Sequence, residues 1–245
     1  MVASFDTHIF WEALTSAPYW KGALLAIELT FVSLATACLI GFFLALGRSS
    51  RFRSVRAFVF FYNWIFRATP TLLQLLFIWN ALPQLWGAFA GTWFKPFLAA
   101  YIGLSLNEAA YMSEIIRAGL LSVDPGQELA GRALGMTRPR ILRRVIVPQA
   151  IRIIIPPTGN EFITLLKLTS LGFVISLHEL LTASQVRASS DFRYVEAYTA
   201  ATVYYLVIVS VLMAAQAQLE RRFTWKSGAR RRRAVPVAAV AHDAR

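Results

Sequence analysis

Acidic residues are scarce in this chain: 13 Asp and Glu stand against 25 Lys and Arg, and charged residues of all kinds make up only 16%. With 57% hydrophobic residues and a mean hydropathy of +0.52, so few charges cannot cover an ordinary soluble domain, and the sequence reads as an integral membrane protein. Cysteine is limited to Cys38, inside an apolar run, which excludes an intramolecular disulfide and a cysteine-ligated metal site. His8, His178 and His242 are far apart and carry no ligand spacing, so no metal site is expected. The phosphate loop G-x-x-x-x-G-K-[ST] does not occur, which removes the usual means of binding ATP. No Ser, His and Asp constellation and no intramembrane carboxylate pair at a useful spacing appears, so a membrane-embedded enzyme ranks low.

What the chain does carry is positive charge, a formal +12, with 21 Arg and four Lys. These residues cluster between apolar segments rather than on one soluble face, which argues against nucleic acid as a partner. Residues 1–19 have no basic lead and no cleavage pattern, so the first apolar run is expected to stay in the membrane.

A spanning helix needs about 20 apolar residues. Residues 22–47 supply the first, and Arg48, Arg51, Arg53 and Arg56 follow without an acidic residue among them, placing that loop in the cytoplasm and the N-terminus outside. Residues 57–85 are apolar but interrupted by Arg67 and Pro70, which predicts an interfacial amphipathic lead-in and a second span over 71–88. Further spans are predicted at 97–118, 153–176 and 197–219. The expectation is an all-α membrane protein of five spans, with an external segment 1–21, a transmembrane domain 22–222 and a basic cytoplasmic tail 223–245. No internal repeat and no second soluble domain stands out. Five helices make a wall rather than a closed path, so a second copy or a homologous partner is expected.

Between the third and fourth spans lies VDPGQELAGRALGMTRPRILRRVIVPQA, residues 123–150. Gly135 breaks one short helical pattern, and Thr137 is placed to cap a second from Arg138 to about Val147. Ile141, Leu142, Val145 and Ile146 fall at helical spacing on one face, while Arg138, Arg140, Arg143 and Arg144 cover the rest. Such a helix suits either an anionic lipid surface or a groove in a partner protein.

Charges inside a span cost roughly 2.5 to 3.5 kcal/mol each at the helix centre, so each one calls for a local reason. Glu28 is near the outer end of its span, and Glu114 and Arg117 can pair three residues apart. Asn107 and Glu108, deep in the third span, face a cavity or a partner helix. In the fourth span Asn160, Thr164 and Lys167 share a face, with Thr169 and Ser170 following, and Pro156 and Pro157 predict a break in the helix just upstream.

The order of residues 126–148, GQELAGRALGMTRPRILRRVIVP, resembles the cytoplasmic coupling loop of the permease subunits of binding-protein-dependent ABC importers. The family pattern is E-A-A, three residues, Gly, nine residues, then I-x-L-P. Gly135 takes the glycine, and Val145, Val147 and Pro148 take the closing positions. Ala130 matches the first alanine, whereas Leu129 occupies the glutamate position and Glu128 sits one residue early; Gly131 replaces the second alanine at a helix-propensity cost of about 1 kcal/mol. Two further stretches, FRATPTLLQLLF and NEFITLLKLTSLGFVISLHELLTAS, are similar to polar amino-acid importer permeases, with Ala68 in place of the usual glycine and Leu168 where aspartate is frequent.

The resemblance implies a type I importer permease in a bacterial inner membrane, moving a polar amino acid or related small solute by ATP-driven alternating access. It implies an ABC ATPase dimer that binds ATP and magnesium, a second permease and an external solute-binding protein, while this chain holds no cofactor or metal. ATPase coupling is expected at Glu128, Ala130, Gly135, Arg138, Arg143, Arg144 and Pro148. The substrate pathway is expected at Gln74, Asn107, Glu108, Asn160, Glu161, Thr164, Lys167, Thr169 and Ser170. The alternative is an ATP-independent secondary transporter or channel subunit.

Overall fold

The computed structural model describes residues 5–223. The expected basic tail, with Arg230 to Arg233, therefore lies outside the described residues apart from Phe223. Among the described residues the fold is entirely helical, as expected.

Helix α1, Thr7–Thr15, is capped by Asp6, whose Oδ1 accepts from the His8 and Ile9 amides at 2.9 and 3.3 Å. Pro18 sits in the first turn of α2, Ala17–Arg48, where its missing N–H costs nothing. The buried side of α2 is mostly small residues, among them Ala23, Ala26, Thr30, Ser33, Ala37, Gly41 and Ala45. That stripe lets α2 lie close against α6, Pro96–Leu121, along the most extensive helix pairing of the fold. A Cβ on Gly41 would stand 2.8 Å from the Met112 Cβ. Thr36 bonds Tyr101 at 2.8 Å, so the register climbs together and the two helices run parallel.

Between them, α3, Arg53–Ala68, turns through 105° into α4, Thr71–Leu76, which continues through a π segment, Phe77–Ala81, into α5, Leu82–Leu85. Thr69 precedes Pro70 and is pushed to extended backbone, φ −104° and ψ 143°, which ends α3 there. The lead-in expected before Thr71 is thus a full helix at a large angle to the span it introduces.

After α6 come α7, Pro125–Ala133, α8, Arg138–Ile141, and α9, Val147–Leu168, the last two joined by a π segment, Leu142–Ile146. The expected break at Pro156 and Pro157 is absent: α9 is continuous through both. Proline φ is already helical, so two adjacent prolines remove amide donors without forcing the backbone out of the helix, and side-chain bonds flank the site. Thr158 Oγ1 donates to Ile154 O at 2.8 Å, and Gln216 Nε2 of α11 donates to Pro156 O at 2.6 Å. The interruption falls later, where Thr169–Ile175 tightens to a 3₁₀ helix ending at Ser176 in the left-handed region. The expected short helix 138–147 is likewise corrected, since it runs on into α9.

Helix α10, Leu180–Asp191, is capped by Glu179, and α11, Tyr194–Phe223, closes the described chain. By length and composition α2 and α11 can each cross a membrane, as can the bent pairs Arg53–Ala68 with Thr71–Leu85 and Arg138–Ile175 with Leu180–Asp191. Helix α6 falls outside that set; at ~1.5 Å per residue its 26 residues extend about 39 Å, and its Ser105, Asn107, Glu108 and Ser113 are buried.

One end of the bundle is bolted by polar contacts. Arg187 pairs with Glu12 and Asp191 at 3.0 Å each, Arg193 with Glu196 at 2.9 Å, and Tyr204 Oη donates to Leu14 O at 2.8 Å. The opposite end carries the C-termini of α2 and α6 and the α7–α8 hairpin.

Candidate functional site

The α7–α8 hairpin is built around two glycines. Asp124 starts α7 by accepting from the Gly126 amide at 2.6 Å. The helix stops because Gly135 adopts φ 73°, while Met136 N–H donates back to Gly131 O at 3.0 Å, a closure that favours glycine at the left-handed position. Gly131, costly by propensity, has a packing reason: a Cβ there would sit 2.8 Å from Ile141 Cγ1, and Ile141 is fully buried. The two arms of the hairpin touch through that pair.

Thr137 occupies the cap position before α8, but its side chain makes no capping bond. Of the expected apolar face, Ile141 is buried and Val145 and Ile146 are half-buried, whereas Leu142 is 45% exposed. The extra residue per turn in the π segment rotates the residues after it away from ideal helical register. Arg138, Arg140, Arg143 and Arg144 are exposed, as are Ala130 and Pro148. Leu129 and Leu134 are 67% and 80% exposed. Glu128 makes an ion pair with Arg132 of its own helix, the contact its displaced position allows. The hairpin therefore presents cations and bare leucines together.

The second cluster lies at the α3–α4 bend. Gln74 Nε2 donates to Thr69 Oγ1 at 2.7 Å, Phe66 O at 3.0 Å and Thr69 O at 3.1 Å. Asn107 Nδ2 of α6 donates to Gln74 Oε1 at 2.9 Å and to Phe66 O at 3.1 Å. Both amides are buried, so the structure brings these two expected pathway residues together as the lock of the bend. A little further along α6, Asn63 and Ser113 bond at 3.0 Å, and Arg117 meets Glu114 at 3.2 Å, the pairing expected from their spacing.

Glu108 is 1% exposed and its Oε1 has no hydrogen-bond partner. It lies within electrostatic reach of Glu161 on α9 and of Cys38 on α2. An unpaired buried carboxyl oxygen is uncommon and marks a place for a water or a ligand donor. On α9, Asn160, Thr164 and Lys167 are all exposed along one face, as their spacing predicts. Ser170 Oγ donates to Lys167 O at 2.7 Å and stays half-buried. Thr169 does not join that face: it is fully buried and its hydroxyl donates to Leu166 O at 2.7 Å, because the 3₁₀ turn begins there and swings it into the core.

Sequence reasoning passed over two residues. Glu179 is fully buried, accepts from the Leu181 and Thr182 amides at 2.8 Å each, and takes a bond from Tyr205 Oη at 3.3 Å. Gln216 fills the space left by Gly159, where a Cβ would stand 1.6 Å from its Oε1. The position of Glu179 immediately ahead of a helical run was a readable capping signal; Gln216 had none, its partner being 60 residues away.

Comparison with known proteins places these features in company. The family described as "Binding-protein-dependent transport system inner membrane component" matches residues 37–225. The arginine transport system permease protein ArgU of Corynebacterium glutamicum is 43% identical over 229 residues, covering 89% of this chain and 69% of that protein. The glutamine transport system permease protein GlnP of Escherichia coli is 34% identical over 218 residues, covering 89% and 97%. A crystal structure of an amino acid ABC transporter with histidines superposes with a TM-score of 0.79 at 35% identity, over 91% of this chain and 100% of that one. The methionine ABC transporter MetNI, inward-facing, shares the fold at a TM-score of 0.69 and 19% identity, over 90% of this chain and 100% of that one.

Proposed function

Because the chain belongs to the binding-protein-dependent transport system inner membrane components, we propose that it is the membrane-spanning half of an ATP-driven importer that carries a polar amino acid into a bacterial cytoplasm. Members of that family are transport components rather than enzymes, so ATP and magnesium belong to a separate ATPase dimer. Relatives named for arginine and glutamine support the substrate class.

The observation that carries the reading is the α7–α8 hairpin, whose exposed Leu129 and Leu134 stand among unburied arginines. Leucines left bare beside guanidiniums suit a protein groove with acidic and apolar walls. In this reading the hairpin is cytoplasmic, the N-terminus is outside, and α2, α4–α5, α6, α9 and α11 give five spans, with α3 the interfacial lead-in to the second. Residues 1–21 form the external segment, 22–222 the permease domain and 223–245 the cytoplasmic tail. ATP-driven closure of the ATPases moves the hairpin, and through α8 and the continuous α9 the motion reaches the Asn160, Thr164, Lys167 face.

That face lines the pathway opposite a second permease, and an external solute-binding protein delivers cargo to it. Lys167 supplies donors for the substrate carboxylate, Glu108 and Glu161 acceptors for its cationic groups, and Ser170 braces the backbone of Lys167. Gln74 and Asn107 hold the wall in shape, and buried Thr169 sets the turn that aims Lys167. The test is uptake of labelled amino acids into proteoliposomes holding the permease, the ATPase and the binding protein. Uptake should require ATP and all three components, and Lys167→Ala should lower it at least ~10-fold with assembly unchanged. Uptake by this chain alone, without ATP, would instead establish a secondary transporter.

A further inference from the structure

Where the end of α2 meets α3 and α6, a recess of about 410 Å³ opens between Arg48, Asn63, Arg67, Trp64, Tyr111 and Glu114. We propose that this recess binds the headgroup phosphate of an anionic phospholipid.

Charge is the first reason. Arg48 and Arg67 both line the recess, and neither has a carboxylate partner among the described residues. The carboxylate that shares the space, Glu114, is already engaged by Arg117 at 3.2 Å and by Asn63 at 3.4 Å. Two guanidiniums facing one cavity repel each other, and an anion between them removes that repulsion. Phosphate, like carboxylate, meets the planar fork of arginine with two parallel hydrogen bonds, and a phosphate oxygen can be shared between two guanidiniums.

Both cations are also held in place. The Arg48 guanidinium lies over the Phe60 ring at 5.6 Å, and that of Arg67 over the Tyr111 ring at 5.5 Å. Each is thereby restrained toward the recess before a ligand arrives, which lowers the ordering cost of binding.

A soluble anion and a lipid share this phosphate chemistry, and the surroundings favour the lipid. Arg48 is the last residue of α2, so the recess sits at the level where the apolar helix gives way to charge. Phe60 and Trp64 line it, and Phe58, Phe61 and Ile65 continue the same exposed apolar surface along α3. Acyl chains cover such a surface, whereas a free phosphate leaves it bare. Arg51, just ahead of α3, and Arg53 and Arg56 in its first turn add to the attraction for an anionic leaflet. That this leaflet is the inner one rests on the orientation proposed above.

The experiment uses the assembled importer, permease with ATPase, purified in detergent, with bound lipid counted by native mass spectrometry during titration with phosphatidylglycerol or phosphatidylcholine. Wild type should retain phosphatidylglycerol selectively. The Arg48→Gln/Arg67→Gln variant should bind it roughly 30-fold more weakly, about fivefold per arginine, with phosphatidylcholine unaffected. Arg51→Gln/Arg53→Gln, outside the recess, should lose less than Arg48→Gln/Arg67→Gln. Equal phosphatidylglycerol retention in wild type and the recess variant overturns the proposal, as does a recess that takes inorganic phosphate but no lipid. Should the double variant fail to assemble, Arg67→Gln alone should weaken phosphatidylglycerol binding about fivefold, and unchanged retention there counts equally against the proposal. Orientation is read separately in a Cys38→Ser background with Ser50→Cys: labelling by an impermeant thiol reagent from outside reverses the proposed orientation without altering the retention result.

Discussion

Replacing Gln74 with leucine separates two roles that the same residue could play. Leucine is close in size, so the exchange removes the amide while filling most of its volume. The amide donates to Phe66 O, Thr69 O and Thr69 Oγ1 and accepts from Asn107 Nδ2, all within 3.1 Å. Phe66 O keeps Asn107 as a donor at 3.1 Å, so two groups are left short, the Thr69 carbonyl and one Asn107 proton. The buried Asn107 proton costs roughly 1–3 kcal/mol and the half-buried Thr69 carbonyl about 1 kcal/mol, and burial of the added apolar surface returns about 1 kcal/mol, leaving a net loss of about 2 kcal/mol. For a chain of this size that lowers the melting temperature by roughly 4–8 °C. The assay is thermal unfolding of the purified importer followed by size-exclusion chromatography, with uptake kinetics measured below the transition. If Gln74 holds the bend, Tm falls and the KM of surviving transporters is unchanged. Adding Asn107→Leu should cost less than its effect alone, since the two amides share one network. A Tm equal to wild type together with a raised KM would refute the network reasoning and return Gln74 to the substrate.

Further tests bear on the hairpin and on the α9–α11 contact. Arg143→Glu/Arg144→Glu should reduce ATPase co-purification at least ~10-fold while membrane insertion is unchanged; undiminished co-purification would remove these arginines from the docking surface. Gly159→Val forces a Cβ into the Gln216 amide and displaces it from Pro156 O. The expected loss is about 2 kcal/mol, partly relieved by Gln216→Ser in the same chain; identical melting of the single variant and wild type would mean that α11 yields at no cost.

Much of the architecture was legible because hydropathy and charge act locally. The edges of α2 and α11 fall within a few residues of the apolar runs, and the Glu114–Arg117 pair follows from helical spacing. Glycine at 135 was readable as a helix stop because the turn needs a positive φ. The shared face of Asn160, Thr164 and Lys167 survived for the same reason, being a consequence of helix geometry alone. What escaped were quantities set by distant partners. The prolines of α9 predict a break, yet the helix runs through both, with Gln216 of another helix packed against Gly159 and bonded to Pro156 O. Gly131 looks like a propensity defect until Ile141 is seen against it. Thr169 shares a sequence neighbourhood with Lys167 and points elsewhere, since the 3₁₀ turn between them changes the angular step.

Composition and order alone made this a membrane protein with an arginine-rich connecting hairpin and no ATP-binding loop of its own, because solvation of apolar surface and of charge is decided residue by residue. The tertiary structure decided the angle between α3 and α4, the sealing of Gln74 and Asn107 into one another, the burial of Glu108, and the placing of Arg48 and Arg67 over Phe60 and Tyr111. Each of those depends on which helices lie side by side, and a hydrogen bond or a close approach between helices is fixed only when both backbones are in place.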